Sequence, residues 1–171
     1  MWGPPLGGPH HDCCEGAALS THLLRVIPTD PSWAPGDEAA ERGRRVLAEL
    51  LPDAKDVTTT RYDTITFIDQ GENFEQIRCP VCGRVLETGW WSERMSEAYE
   101  NGFTDLTVTA PCCGSTVSLN DLDYRYPAGF ARFELTAEDW NVTRADMLSA
   151  EELGRLGEAL GHPVRQVYSW Y

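Results

Sequence analysis

The chain is 171 residues long and contains six cysteines. Four of them fall in two tight groups, Cys79-Pro-Val-Cys82-Gly and Cys112-Cys113-Gly, with 29 residues between Cys82 and Cys112. Thiolates grouped this closely suit Zn²⁺, which takes four sulfurs tetrahedrally at about 2.3 Å each. Cys79 and Cys82 fit one tight knuckle, and Gly83 permits the turn backbone that closes it. Cys112 and Cys113 are adjacent, so joint ligation requires a bent backbone, for which Pro111 and Gly114 are suitable flanking residues. Four cysteines fill the coordination shell and leave no position for water, which predicts one structural rather than catalytic zinc. Should Cys112 or Cys113 fail to bind, a position opens and zinc catalysis becomes an alternative. Iron is a lesser alternative, because a tetrathiolate accepts either metal. Thiol redox chemistry is another: Cys79 and Cys82 have CxxC spacing, and Cys112-Cys113 could form a strained vicinal disulfide.

The CPVCG run resembles a zinc-ribbon or rubredoxin-like knuckle, over a handful of residues plus the distant cysteine pair. The second half departs from that pattern, which has two residues between its cysteines. The resemblance implies a small ribbon whose ligands are Cys79, Cys82, Cys112 and Cys113.

Other reactive groups carry less. His10, His11, Cys13 and Cys14 have donor chemistry, but neighbours this close converge on a metal only with a long-range scaffold. Asp121 and Asp123 invite an acid or metal role, yet carboxylates beside a turn usually bond their own backbone or water. His22 and His162 have no catalytic signature around them, and no glycine-rich phosphate loop occurs. Trp90 and Trp91 precede a short helix expected at Ser92 to Tyr99; one is expected to cover the knuckle or bridge it to the main body, the other to face a partner.

The formal charge of −13, from 27 acidic and 14 basic side chains, argues against a phosphate-backbone binder. Residues 51–120 alone are net −6, so the tryptophans lack the basic groove of a single-strand stacking surface. A four-thiolate zinc would deepen the negative charge by two. No apolar run approaches the roughly 20 residues of a membrane span, and the first thirty residues lack the pattern of an export signal. A cytoplasmic location with reduced thiols is the expectation.

The elements that must position the cysteines follow from apolar periodicity. A short strand at Leu23–Ile27 precedes a helix from Asp37 to Leu51, whose apolar residues recur at spacings of three and four. Val57 to Ile68 is extended, with Ile65 and Phe67 on one packed face; a hairpin broken at Tyr62-Asp63 is the alternative. Leu106–Thr109 is a strand inside the cysteine region. Phe130 to Leu135 alternates as a half-exposed strand, and Ala150 to Leu160 is a helix opened by a Ser149/Glu152 capping box and stopped at Gly161. A last strand begins at Val164. Without the cysteine region the order is β-α-β-β-α-β, which resembles a ferredoxin-like α+β sandwich with an antiparallel sheet and both helices on one face. The expected organisation is a leader at 1–18, a first half-domain at 19–72, a zinc-ribbon-like insert at 73–126 and a second half-domain at 127–171.

A small acidic chain of this construction resembles the immunity or antitoxin class, in which an inhibitor covers a basic toxin. That resemblance implies a non-enzymatic zinc-binding protein whose partner is a basic protein. A zinc-dependent or thiol enzyme acting on a small substrate and a nucleic-acid-associated regulator are the alternatives.

Overall fold

The computed structural model describes residues 20–140 and 147–171. Four strands form the main sheet: β1 (His22–Pro28), β2 (Asp56–Ile68), β7 (Gly129–Glu138) and β8 (Val164–Trp170). Their order is β2-β7-β1-β8, and every neighbouring pair is antiparallel. With α1 (Asp37–Leu50) following β1 and α3 (Ala150–Leu160) following β7, this is the ferredoxin-like sandwich.

The helices cover one face. Leu24 and Val26 of β1 and Phe133, Leu135 and Ala137 of β7 meet Ala40 and Leu47 of α1 and Leu156 and Leu160 of α3 in one buried cluster. Alternate positions on a strand point to opposite faces, and β8 obeys this: Val164 and Tyr168 pack on the helical core, while Val167 joins Ile27, Ile68 and Ala131 in a smaller cluster. Helix α3 begins with the expected capping box, in which the Ser149 hydroxyl accepts from Glu152 N–H and the Glu152 carboxylate accepts from Ser149 N–H.

The region from Asp56 to Ile68 is one strand, as its extended pattern predicts, and the alternative hairpin falls; the ladder's irregularity lies between Arg61, opposite Phe133, and Thr66, opposite Ala131, so a bulge and not a turn stands at Tyr62-Asp63. Two other expectations change. Strand β7 is not half-exposed. Glu134 on its polar face is only 4% exposed, because Tyr62 O–H and Thr136 O–H donate to its carboxylate and Arg25 lies 3.9 Å away. Alternation in sequence reports polarity, and a hydrogen-bonded carboxylate can be buried without breaking it. Finally, helix α2 spans Thr88–Glu100 and takes in both tryptophans.

The insert occupies the chain between β2 and β7. Its base is the pair β3 (Gln76–Arg78) and β6 (Asp123–Arg125); α2 and the hairpin β4 (Thr107–Thr109) with β5 (Thr116–Ser118) complete it, followed by a 3-10 turn at Leu119–Asp121. It has its own core, in which Ile77, Leu86, Ala98, Phe103, Leu119, Leu122 and Tyr124 pack with Phe130 of β7, and Ile65 and Phe67 of β2 lie against them. Among the described residues, no helix is long and apolar enough to cross a membrane.

Candidate metal centre

The four cysteines sit on two loops of identical length. The first, 79–84, closes between Arg78 and Val85, which form a β-bridge; the second, 110–115, closes between paired residues Thr109 and Thr116. In the first, Cys79 N–H donates to Arg84 O at 2.9 Å and Gly83 N–H to Cys79 O at 2.9 Å. In the second, Ala110 N–H donates to Ser115 O at 2.9 Å and Gly114 N–H to Ala110 O at 2.8 Å. Gly83 and Gly114 both have φ of +71°, the left-handed conformation that glycine adopts without a Cβ penalty. The two knuckles therefore align residue for residue, Cys79-Pro-Val-Cys-Gly-Arg on Ala110-Pro-Cys-Cys-Gly-Ser.

This alignment explains the adjacent cysteines. Cys113 occupies the place of Cys82, but the place of buried Cys79 is taken by fully buried Ala110, and the second knuckle's other thiol stands at Cys112, the counterpart of Val81. The bend that adjacent ligands require is the knuckle turn itself. The signal was readable as a degenerate repeat, APCCG on CPVCG, once the shared Pro, Cys and Gly are matched instead of the cysteine pairs.

All four sulfurs lie within 4.8 Å of one another. Cys82 Sγ is 3.3 Å from Cys112 Sγ, and Cys79 Sγ is 3.8 Å from Cys113 Sγ. A tetrahedron with bonds of about 2.3 Å puts its corners about 3.8 Å apart, so the set fits a tetrathiolate ion. Among the described residues it is the one cluster of His, Cys, Asp or Glu ligand atoms close enough to share an ion. Cys79 is buried, Cys112 half-buried, and Cys82 and Cys113 exposed. Arg84 joins the loops, donating to Cys112 O at 3.1 Å, and Arg78 donates to Gly83 O at 3.3 Å, so two cations border a group that would carry −2 with Zn²⁺ bound.

The thiols are electrostatically unequal. The backbone N–H of Cys82, with a smaller contribution from Val81, lowers Cys79. The Ser115 hydroxyl and then its N–H bring Cys113 down to about 6, whereas hydrogen bonding with Cys82, reinforced by burial, pushes Cys112 up to about 12. Thiols this close cannot all ionise without a cation among them.

The other expected groups lie elsewhere. Trp91 bridges the insert to the sandwich: its N–H donates to Tyr124 O–H at 3.3 Å, and its ring meets Phe74 at 5.5 Å and Phe67 of β2 at 5.9 Å. Trp90 is also half-buried on the insert core, so neither ring is fully presented to solvent. Asp121 and Asp123 are exposed. His22 bonds Tyr168 O–H, and His162 stacks on Trp33. Tyr124 locks the insert, donating to Leu119 O at 2.7 Å, whereas Tyr126 is exposed. His10, His11, Cys13 and Cys14 fall outside the described residues.

Sequence reading did not single out Asn120 as the staple between insert and sheet. Its side chain accepts from Phe130 N–H and from the Arg165 guanidinium and donates to Thr29 O, while its carbonyl accepts from Arg165 at 2.9 Å. Burial lowers the pKa of Arg165. Comparison with family models, with curated proteins and with solved structures found no match to this chain.

Proposed function

We propose that the chain is a protein-docking domain whose insert is held by one structural Zn²⁺ on Cys79, Cys82, Cys112 and Cys113. The observation that carries this reading is the convergence of four thiols from two equivalent knuckles onto one point. Zinc is the ion taken here because four-cysteine sites are a common structural zinc arrangement; iron fits the same shell, and metal analysis separates the two. Four sulfurs complete the shell, so the ion clamps two loops and has no position at which to activate water. Reduced thiols are needed to load it, which suits a cytoplasmic protein.

The charge supports a basic protein as the partner, since a field of −13 accelerates encounter with a cation-rich surface. A cleft of about 400 Å³ where the insert meets the sandwich is lined by Asp30, Asp105 and Asp121 together with Ser32 and Thr107, carboxylates suited to meet the cations of such a partner. Trp90 and Trp91 contribute what their half-buried rings leave accessible. An immunity-type inhibitor of a basic toxin is the specific form of this reading.

Metal analysis of tag-free protein tests the first half, with one zinc per chain expected. Capture from a cell extract at about 50 and 300 mM salt, with the bound protein identified by mass spectrometry, tests the second. A basic partner whose retention falls with salt is expected; an acidic partner, or none, contradicts the docking claim.

A further inference from the structure

We propose that the zinc centre is a peroxide-sensitive switch, in which Cys82 and Cys112 join as a disulfide and the ion is released; this rests on the structural-zinc reading above. The two knuckles differ in the burial of one thiol. The interior place of the first knuckle holds Cys79, 1% exposed, and the matching interior place of the second holds Ala110, which carries no thiol. The second knuckle's ligand stands instead on the rim, at the position where Val81 of the first is 62% exposed. Three of the four thiols are thereby open to a small oxidant, and one is not.

Geometry selects the pair. Cys82 and Cys112 have sulfurs 3.3 Å apart, closer than the 3.8 Å between Cys79 and Cys113. A disulfide needs about 2.05 Å, a shift of roughly 1.3 Å shared between two surface loops. The neighbouring pair Cys112-Cys113 is disfavoured: consecutive Cα atoms lie about 3.8 Å apart, whereas disulfides span about 4.4–6.8 Å between Cα atoms.

The chemistry balances with hydrogen peroxide as the oxidant. The thiolate of Cys82 or Cys112 attacks one peroxide oxygen, the O–O bond breaks, and a sulfenic acid and hydroxide result. The other thiolate then attacks the sulfenic sulfur and expels a second hydroxide, closing the disulfide. Two electrons have left the two sulfurs, and two protons from solvent convert both hydroxides to water. Disulfide sulfurs are not thiolate donors, so Zn²⁺ retains two ligands and dissociates. The new bond links the same two knuckles that the ion linked, so the insert keeps its cross-link when the metal goes.

The test uses the full chain carrying Cys13→Ser and Cys14→Ser, in which the knuckle thiols are the only cysteines. The zinc-loaded protein is treated with hydrogen peroxide, freed zinc is read with a chromophoric chelator, and disulfides are mapped by peptide mass spectrometry. One zinc released for each two thiols lost, a first disulfide joining Cys82 to Cys112, and reloading after a thiol reductant are expected. Zinc retained through peroxide treatment, or a first disulfide between any other pair, overturns the switch and leaves the structural-zinc reading standing. A chain that binds no zinc before oxidation overturns that reading and the switch with it.

Discussion

The two knuckles share a backbone and differ in where they carry sulfur. Both close with the same pair of hydrogen bonds and the same left-handed glycine, and both keep Pro, Cys and Gly at matching places. One places its thiols at the first and fourth positions, the other at the third and fourth. The turn is therefore the conserved mechanical part of the site, and the position of one thiol is adjustable, since a shift from an interior to a rim position still brings all four sulfurs within 4.8 Å. The cost is exposure: the first knuckle keeps a buried thiol and the second keeps none.

The largest test of this comparison removes the interior thiol that the first knuckle alone has. Cys79→Ser should abolish stoichiometric zinc binding, with an affinity loss beyond the roughly 10–100-fold typical of losing an outer-shell partner. Amide exchange should then rise in the insert, in β3, β4 and β5, while α1 and α3 stay protected on their separate core. Equal loosening of both regions would show that the sandwich depends on the metal.

Next in size is Asn120→Ala, which leaves Phe130 N–H and part of the half-buried Arg165 guanidinium without their acceptor. Stripping partners from buried donors costs about 1–3 kcal/mol, more for a charged group. A fall of about 3 kcal/mol in unfolding free energy is expected by denaturant titration, without loss of zinc.

Acid gives a smaller, graded effect. Zinc binds thiolates, so a thiol protonated in the free protein must release its proton on binding, and affinity falls as pH falls below that thiol's pKa. Because Ser115 holds Cys113 near 6, its thiolate is already present at pH 7 and is lost below about 6. One further proton should be released per zinc below that point, and the decline in affinity should steepen by about tenfold per pH unit, as calorimetry in buffers of different ionisation enthalpy can read.

The smallest effect is expected from restoring symmetry. The double variant Ala110→Cys, Cys112→Val gives the second knuckle the ligand places of the first, and zinc stoichiometry should stay at one, measured by metal analysis, with affinity changed by less than about tenfold. Loss of binding would show that the displaced thiol, not the shared turn, sets the geometry.

Much of this molecule was legible in its sequence, for physical reasons. Helices α1 and α3 and the main strands announce themselves because burial of one face imposes a period on the chain. The sheet order follows from two split β-α-β units. The four cysteines are visible because thiol grouping is chemically unusual. What was hidden depends on contacts between distant residues. The three-residue strands β3, β5 and β6 are too short to show a period and exist through their partners. Asn120 looks like any turn residue until Arg165, 45 residues later, is brought to it. Glu134 looks solvent-facing until Tyr62 and Thr136 cover it. Trp90 and Trp91 read as the approach to a helix because Thr88 and Gly89 are weak helix formers, yet packing against Phe67 and Phe74 draws the first turn into α2.

The central claim is that two equivalent knuckles with unequal ligand places hold one closed zinc. X-ray absorption at the zinc edge on the purified full chain tests it most directly: one zinc per chain with four sulfur neighbours at about 2.3 Å is expected. A shell containing nitrogen or oxygen, or protein that binds no zinc, would contradict it.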